Sequence, residues 1–234
     1  MLLLAFETSA KAASVALFDG TKLLGEQYQN TGLTHSQTLM VMAQELLTQC
    51  EKTPQDVEAV AVANGPGSFT GIRIGMAAAK GFAWGAELPL YGVSTLEAMA
   101  LGLGMPAGIV CPVMDARRSQ VYNALFRMEQ GKCVRLTEDR AIALDELSKE
   151  LKTFDEPVYL VGDGSTLCFT RLSPENGVLV APAEHRMHQR AVGVGLAALE
   201  AMSRGDDGKA ETLVPNYLRL SQAERERLER EKGI

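Results

Sequence analysis

Histidine, cysteine, tryptophan and basic charge are all scarce in this chain. Its 234 residues include three histidines, four cysteines and one tryptophan, and 23 Lys and Arg stand against 29 Asp and Glu for a formal net charge of -6. That balance argues against broad direct contact with a nucleic acid, because such affinity comes largely from cations that displace counterions at phosphates. Cys50, Cys111, Cys133 and Cys168 are widely spaced and form no CxxC pair. Reduced core thiols in a cytoplasmic protein are therefore expected, not disulfides or a metal site. His185 and His188 stand at i, i+3, a spacing that can hold a metal, but only Glu184 among acids accompanies them and His35 is remote. H-E-x-x-H, G-x-S-x-G and the lysine-bearing phosphate loop are all missing. No apolar run is long enough to span a bilayer or serve as a signal peptide. The N-terminal run 1–6 ends at Glu7 with no basic region before it, and 74–90 is interrupted by Lys80, Glu87 and three glycines.

What is present is the make-up of a globular protein, with 46% hydrophobic and 22% charged residues in a length that allows one large domain or two smaller ones. Residues 2–6 form an unbroken apolar run suited to a central strand. Strands at 12–18 and 22–28 follow around Asp19-Gly20, a hairpin signal. Thr34 with Gln37 makes a capping-box pattern for a helix to Cys50, and Pro54 opens a short turn. A strand at 57–63, a glycine-rich loop, a helix to Gly85, a strand at 89–93 and a second capping box, Ser94 with Glu97, complete the order βββαβαβα. Gly and Pro near 104–108 mark a boundary between lobes. Strands at 109–114, 120–128 and 133–136 then open the second half, followed by a helix at 145–152, a strand at 158–161 and a helix at 188–203. Two halves that each begin with a three-strand meander point to a duplicated α/β fold of the actin-like ATPase kind. Residues 1–104 would form the first lobe and 105–220 the second, with 221–234 a charged tail whose Glu226 and Arg230 pair at i, i+4.

The segment NGPGSFTGIRIG, 64–75, offers both a tight strand-to-helix turn and an anion loop. Gly65 and Gly67 permit close backbone approach, while Ser68 and Thr70 can cap a helix whose unpaired N–H groups favour an anion. Glu7, Thr8 and Ser9, at the end of the first strand, and Asp115, at the end of the strand 109–114, occupy the turns that in actin-like ATPases surround metal-bound phosphates. Here Arg117 stands where such loops want glycine, so Asp-Ala-Arg-Arg reads equally as a plain hairpin. Two helices, 34–50 and 71–85, are apolar around most of their circumference. Their own sheet can cover one face of each, and the remaining surface needs the second lobe or another polypeptide. Leu39, Met42 and Leu46 on one helix, and the small-residue stripe Gly71, Gly75 and Ala79 with Met76 on the other, are the expected contacts of a helix-on-helix protein interface.

FETSAKAASVAL (6–17), NGPGSFTGIRIG, LPLYGVSTLEA (88–98), DARRSQVY (115–122) and PNYLR (215–219) together resemble the bacterial TsaB family, also called YeaZ. The resemblance implies an actin-like fold and a role in making N6-threonylcarbamoyladenosine beside the anticodon of tRNA. It also implies a non-catalytic subunit that pairs through its two first-lobe helices with a TsaD-type paralogue or with itself, joined by a TsaE-type ATPase. ATP and metal then belong to the partner subunits, and tRNA is met only through the complex. Two other readings of the residues stay open: an actin-fold small-molecule kinase, and a metallopeptidase of the M22 type.

Overall fold

The computed structural model describes residues 1–104, 107–173, 177–181 and 183–219. The tail expected at 221–234, with its Glu226–Arg230 pair, lies outside them. Chain order begins with strands β1 (Leu2–Glu7), β2 (Ala13–Asp19) and β3 (Lys22–Gln29), then helix α1 (His35–Gln49) and a 3-10 turn at Pro54–Asp56. β4 (Ala59–Gly65), α2 (Phe69–Gly85), β5 (Leu90–Ser94) and α3 (Thr95–Gly102) follow, so the expected βββαβαβα order holds. The sheet runs β3-β2-β1-β4-β5, with β1 antiparallel to β2 and parallel to β4. β1 reads as a continuous apolar run because both its faces are covered. Leu2, Leu4 and Phe6 join the core beneath α1 and α2, whereas Leu3 and Ala5 point to the opposite core.

The second sheet repeats this plan. β6 (Gly108–Arg117), β7 (Gln120–Asn123), β8 (Phe126–Glu129), β9 (Lys132–Arg135) and β10 (Arg140–Ala143) precede α4 (Leu144–Leu151), β11 (Val158–Val161), α5 (Ser165–Leu172) and β12 (Leu179–Val180). The path β10-β7-β6-β11-β12, with β7 antiparallel and β11 parallel to β6, follows the order of the first sheet, while β8 and β9 are additional. The third strand expected at 133–136 is β9, which pairs with β8, and β10 takes the place of β3. The strand expected at 120–128 is interrupted at Ala124 and Leu125. β7 and β8 keep one register on β6, Val113 facing Asn123 and Val110 facing Phe126. Their outer edges part company, β7 pairing with β10 and β8 with β9. At the break, Leu125 N bonds to Thr137 Oγ1 (2.8 Å) and Leu125 O accepts from Leu136 N (2.7 Å). The β8–β9 turn has positive φ at both Gln130 (50°) and Gly131 (78°), the backbone that two-residue hairpins favour.

Helix starts differ from expectation in particular ways. Thr34 precedes α1 with no side-chain cap; the first turn is closed by Gln37 N to Thr34 O (3.0 Å), leaving the Thr34 hydroxyl in water. Ser94 Oγ does cap α3, accepting from the N–H groups of Leu96 and Glu97 (3.2 Å each), but the Glu97 carboxylate turns to Arg135 instead of completing the box. The helix expected from His188 begins at Ala191, because His188 and Arg190 are extended; it forms α7 (Ala191–Ser203), preceded by the single turn α6 (Glu184–Met187). Although α7 falls within 105–220, it crosses back and packs Ala191, Val194, Ala197 and Ala198 on the first sheet. Its glycines allow this approach: a Cβ on Gly193 would lie 2.0 Å from Ala98 O, and one on Gly195 would lie 2.3 Å from the Phe18 ring.

Candidate functional site

A cleft of about 560 Å³ lies between the lobes, bordered by Ser9, Ser68, Thr70, Asp115, Asp163 and Tyr217. Of the residues expected at a phosphate loop, Ser9, Gly67, Ser68, Thr70 and Asp115 reach this cleft, whereas Glu7, Thr8 and Gly65 do not line it. Glu7 sits at the end of β1 with only 1% of its surface exposed. Its carboxylate folds back on the chain, Oε1 accepting from Ser9 N (2.5 Å), and Oε2 is buried with no partner. Burial in the low-dielectric interior pushes its pKa up to about 7, opposed in part by bonds from Ser9 and Thr8.

The glycines of 64–75 serve packing of the chain on itself. Gly65 has φ 122°, and a Cβ there would stand 2.5 Å from Asn216 O. Gly67 would strike Ser9 O at 2.5 Å, Gly71 would strike Thr8 O at 2.1 Å and Gly75 would strike Thr8 Oγ1 at 2.2 Å. Thr8 Oγ1 donates to Gly71 O (2.8 Å), Ser68 N to Ser9 O (2.7 Å), and Ser68 Oγ caps α2 by accepting from Gly71 N (3.2 Å). The loop therefore clamps α2 onto the turn after β1, while Gly67, Ser68 and Thr70 also line the cleft.

Asp115 caps its own hairpin, accepting from Arg117 N (2.7 Å), and Arg117, Arg118 and Ser119 all take left-handed φ (62°, 54° and 56°). On the same side of the cleft, Asp163 lies in the turn after β11, held by Gln189 Nε2 (3.1 Å), and burial raises its carboxyl above the usual range. Sequence reasoning missed Asp163; the paired glycines Gly162 and Gly164 right after an apolar strand were the available signal. It also left 215–219 without a role, although Asn216, Tyr217, Leu218 and Arg219 of this segment line the cleft. His185 lies on α6 and His188 just beyond it, and among the described residues no three His, Cys, Asp or Glu could hold a metal ion. All four cysteines are free thiols, and burial pushes Cys168 up to about 12. Among the described residues no helix is long and apolar enough to cross a membrane.

The contacts expected on α1 and α2 point the other way. Leu39, Met42 and Leu46 of α1, and Gly71, Gly75, Met76 and Ala79 of α2, are buried in the protein's own core. The reason lies in helix phase: these positions recur every three or four residues on the stripe that covers β1, β2 and β4. Gly71 and Gly75 of the small-residue stripe accommodate Thr8, and Ala79 lies in the core shared with α1. The outward stripe carries Val41 (53% exposed) and Met40 (42%) on α1, and Ala77, Gly81, Trp84 (83%) and Gly85 on α2. Nothing lies within 4 Å of a Cβ placed on Gly81 or Gly85. An exposed tryptophan beside three residues with little or no side chain is a surface on which a second helix could pack closely.

The family described as TsaD, tRNA N6-adenosine threonylcarbamoyltransferase, matches residues 29–227. The tRNA threonylcarbamoyladenosine biosynthesis protein TsaB of Bacillus subtilis is 32% identical over 99% of this chain and 100% of that protein. The Escherichia coli protein of the same name is 35% identical over 79% of this chain and 80% of its own length. Among solved structures, YeaZ from Pseudomonas aeruginosa superposes with a TM-score of 0.79 at 27% identity, covering 93% of this chain and 99% of that one.

Proposed function

This chain belongs to the TsaB family, and on that premise we propose that it is a non-catalytic subunit in the biosynthesis of threonylcarbamoyladenosine on tRNA. It pairs with a TsaD-type catalytic paralogue and acts as scaffold and activator. A TsaE-type ATPase joins this pair, tRNA is met through the assembled complex, and self-association uses the same surface. The observation that carries the reading is the outward side of α1 and α2, where Val41, Met40 and Trp84 stand in water beside Ala77, Gly81 and Gly85. That reassigns the contact residues from the buried stripe to the exposed one and keeps the same two helices.

Nucleotide and metal belong to the partner subunits in this reading. Two features support that division. The Glu7 carboxylate is turned onto its own chain, and the glycines at 65, 67, 71 and 75 each admit a neighbouring atom of this protein. The kinase and metallopeptidase readings find no comparable support.

Gly81→Glu tests the proposal. Gly81 is exposed, and replacing a helix-interior glycine stabilises a helix by roughly 0.5–1 kcal/mol, so the fold should survive or gain. A charged side chain at the centre of a close helix contact should instead abolish co-purification with the TsaD-type subunit and modification of tRNA in a reconstituted system. Undiminished association of a folded Gly81→Glu protein would refute the assignment.

A further inference from the structure

The last described stretch of chain, 213–219, begins on the first lobe, lines the cleft with residues 216–219 and ends on the second lobe. The Leu213 side chain lies on the backbone of β5, so close that a Cβ on Gly92 would meet its Cδ1 at 2.1 Å. Asn216 N donates to Asn64 O (2.7 Å), and Asn216 O occupies the space that Gly65 leaves open. Tyr217 stacks on Phe69 with ring centroids 4.5 Å apart. Its hydroxyl accepts from Arg73 Nε (2.9 Å), whose guanidinium lies 3.8 Å over the Phe69 ring. All these partners belong to the first lobe.

Two residues later the contacts change lobes. Arg219 Nη1 donates to Ala116 O (2.6 Å) and reaches Arg117 O (3.5 Å), the carbonyls at the start of the hairpin whose next residues are left-handed. Left-handed φ at consecutive residues other than glycine is strained and persists where surrounding contacts over-determine it. The guanidinium supplies such contacts.

We infer that 213–219 is an intramolecular strap that ties the two lobes across the cleft and holds the 115–119 hairpin in its strained form. Phe69 and Arg73 anchor it on the first lobe and the Ala116 carbonyl receives it on the second. Because Arg73 is exposed on α2, the strap is anchored on a helix that also carries the candidate interface. The inference concerns the isolated chain and does not depend on the tRNA reading, so either can fail without the other.

Hydrogen exchange on the purified full-length protein decides it. Tyr217 is held by Phe69 and Arg73 of the first lobe, yet Tyr217→Ala should raise exchange of the amides at 115–119, in the other lobe, by about tenfold through loss of the tie. Arg219→Ala should do the reverse, raising exchange at 64–70. Tyr217→Phe retains the stack on Phe69 and should stay near the wild type at both places. Exchange in β1 and α7 should not change in any variant, which separates release of the strap from general unfolding. Effects that stay within the lobe each side chain touches would overturn the inference, as would equal effects of Phe and Ala at 217.

Discussion

Glu7→Gln should remove a loss of stability that the native protein undergoes as the pH rises. Glu7 is fully buried and its pKa lies at about 7 against an ordinary 4.5. Between those values the folded protein keeps a proton on Glu7 that the unfolded chain has released. Stability therefore falls as pH rises through this window and levels off above the folded pKa, because at higher pH both states are ionised. The shift of about 2.5 units, at roughly 1.4 kcal/mol per unit, corresponds to about 3 kcal/mol between pH 4.5 and pH 8. A glutamine keeps the acceptor for Ser9 N and carries no charge, so its curve should lack this component. Urea denaturation of both proteins at half-unit steps from about pH 4.5 to about pH 8.5 measures it. The difference in unfolding free energy, variant minus wild type, should grow in favour of the variant by about 3 kcal/mol across the window. Taking the difference cancels groups that do not interact with Glu7; Asp163 is coupled to it, and its own carboxyl, raised by burial, acts with the same sign. Parallel curves would show that Glu7 is solvated in solution and that the closed turn after β1 is wrong.

Two further substitutions separate core from surface. Leu39→Ala removes a fully buried α1 side chain and should lower unfolding free energy by about 2–5 kcal/mol, whereas Val41→Ala, two residues on and half exposed, should cost well under 1 kcal/mol while weakening partner association. Denaturation and co-purification, measured together, should give opposite rankings for the pair. Gly71→Ala would drive a methyl to within 2.1 Å of Thr8 O, a backbone atom that cannot swing aside, and should destabilise by about 1–3 kcal/mol or more through overpacking despite alanine's better helix propensity. A thermal melt of Gly71→Ala at or above the wild type would refute the clamp between α2 and the turn after β1.

Much of the architecture was legible in the chain because it is written in local patterns. The apolar run of β1, the Asp19-Gly20 turn and the alternation of strands with helices depend on neighbours in sequence, and so does the first three-strand opening. In the second, β10 in place of the strand expected at 133–136 was a tertiary choice. The motifs 64–75 and 115–122 likewise identify the family without any knowledge of shape. Sequence also showed that α1 and α2 carry more apolar residues than one face requires. Which stripe of each helix faces inward was a tertiary decision. Apolar residues surround both helices, so periodicity alone left the phase open; Thr8 pressing into Gly71 and Gly75 from the end of β1 settles it for α2, and packing of Leu46 against Gly25 of β3 settles it for α1. The return of α7 to the first sheet, the burial of Glu7 without a partner for Oε2, and the path of 213–219 across the cleft were equally invisible. Each joins residues far apart in the chain, and burial or contact of that kind exists only once the two lobes have closed on one another.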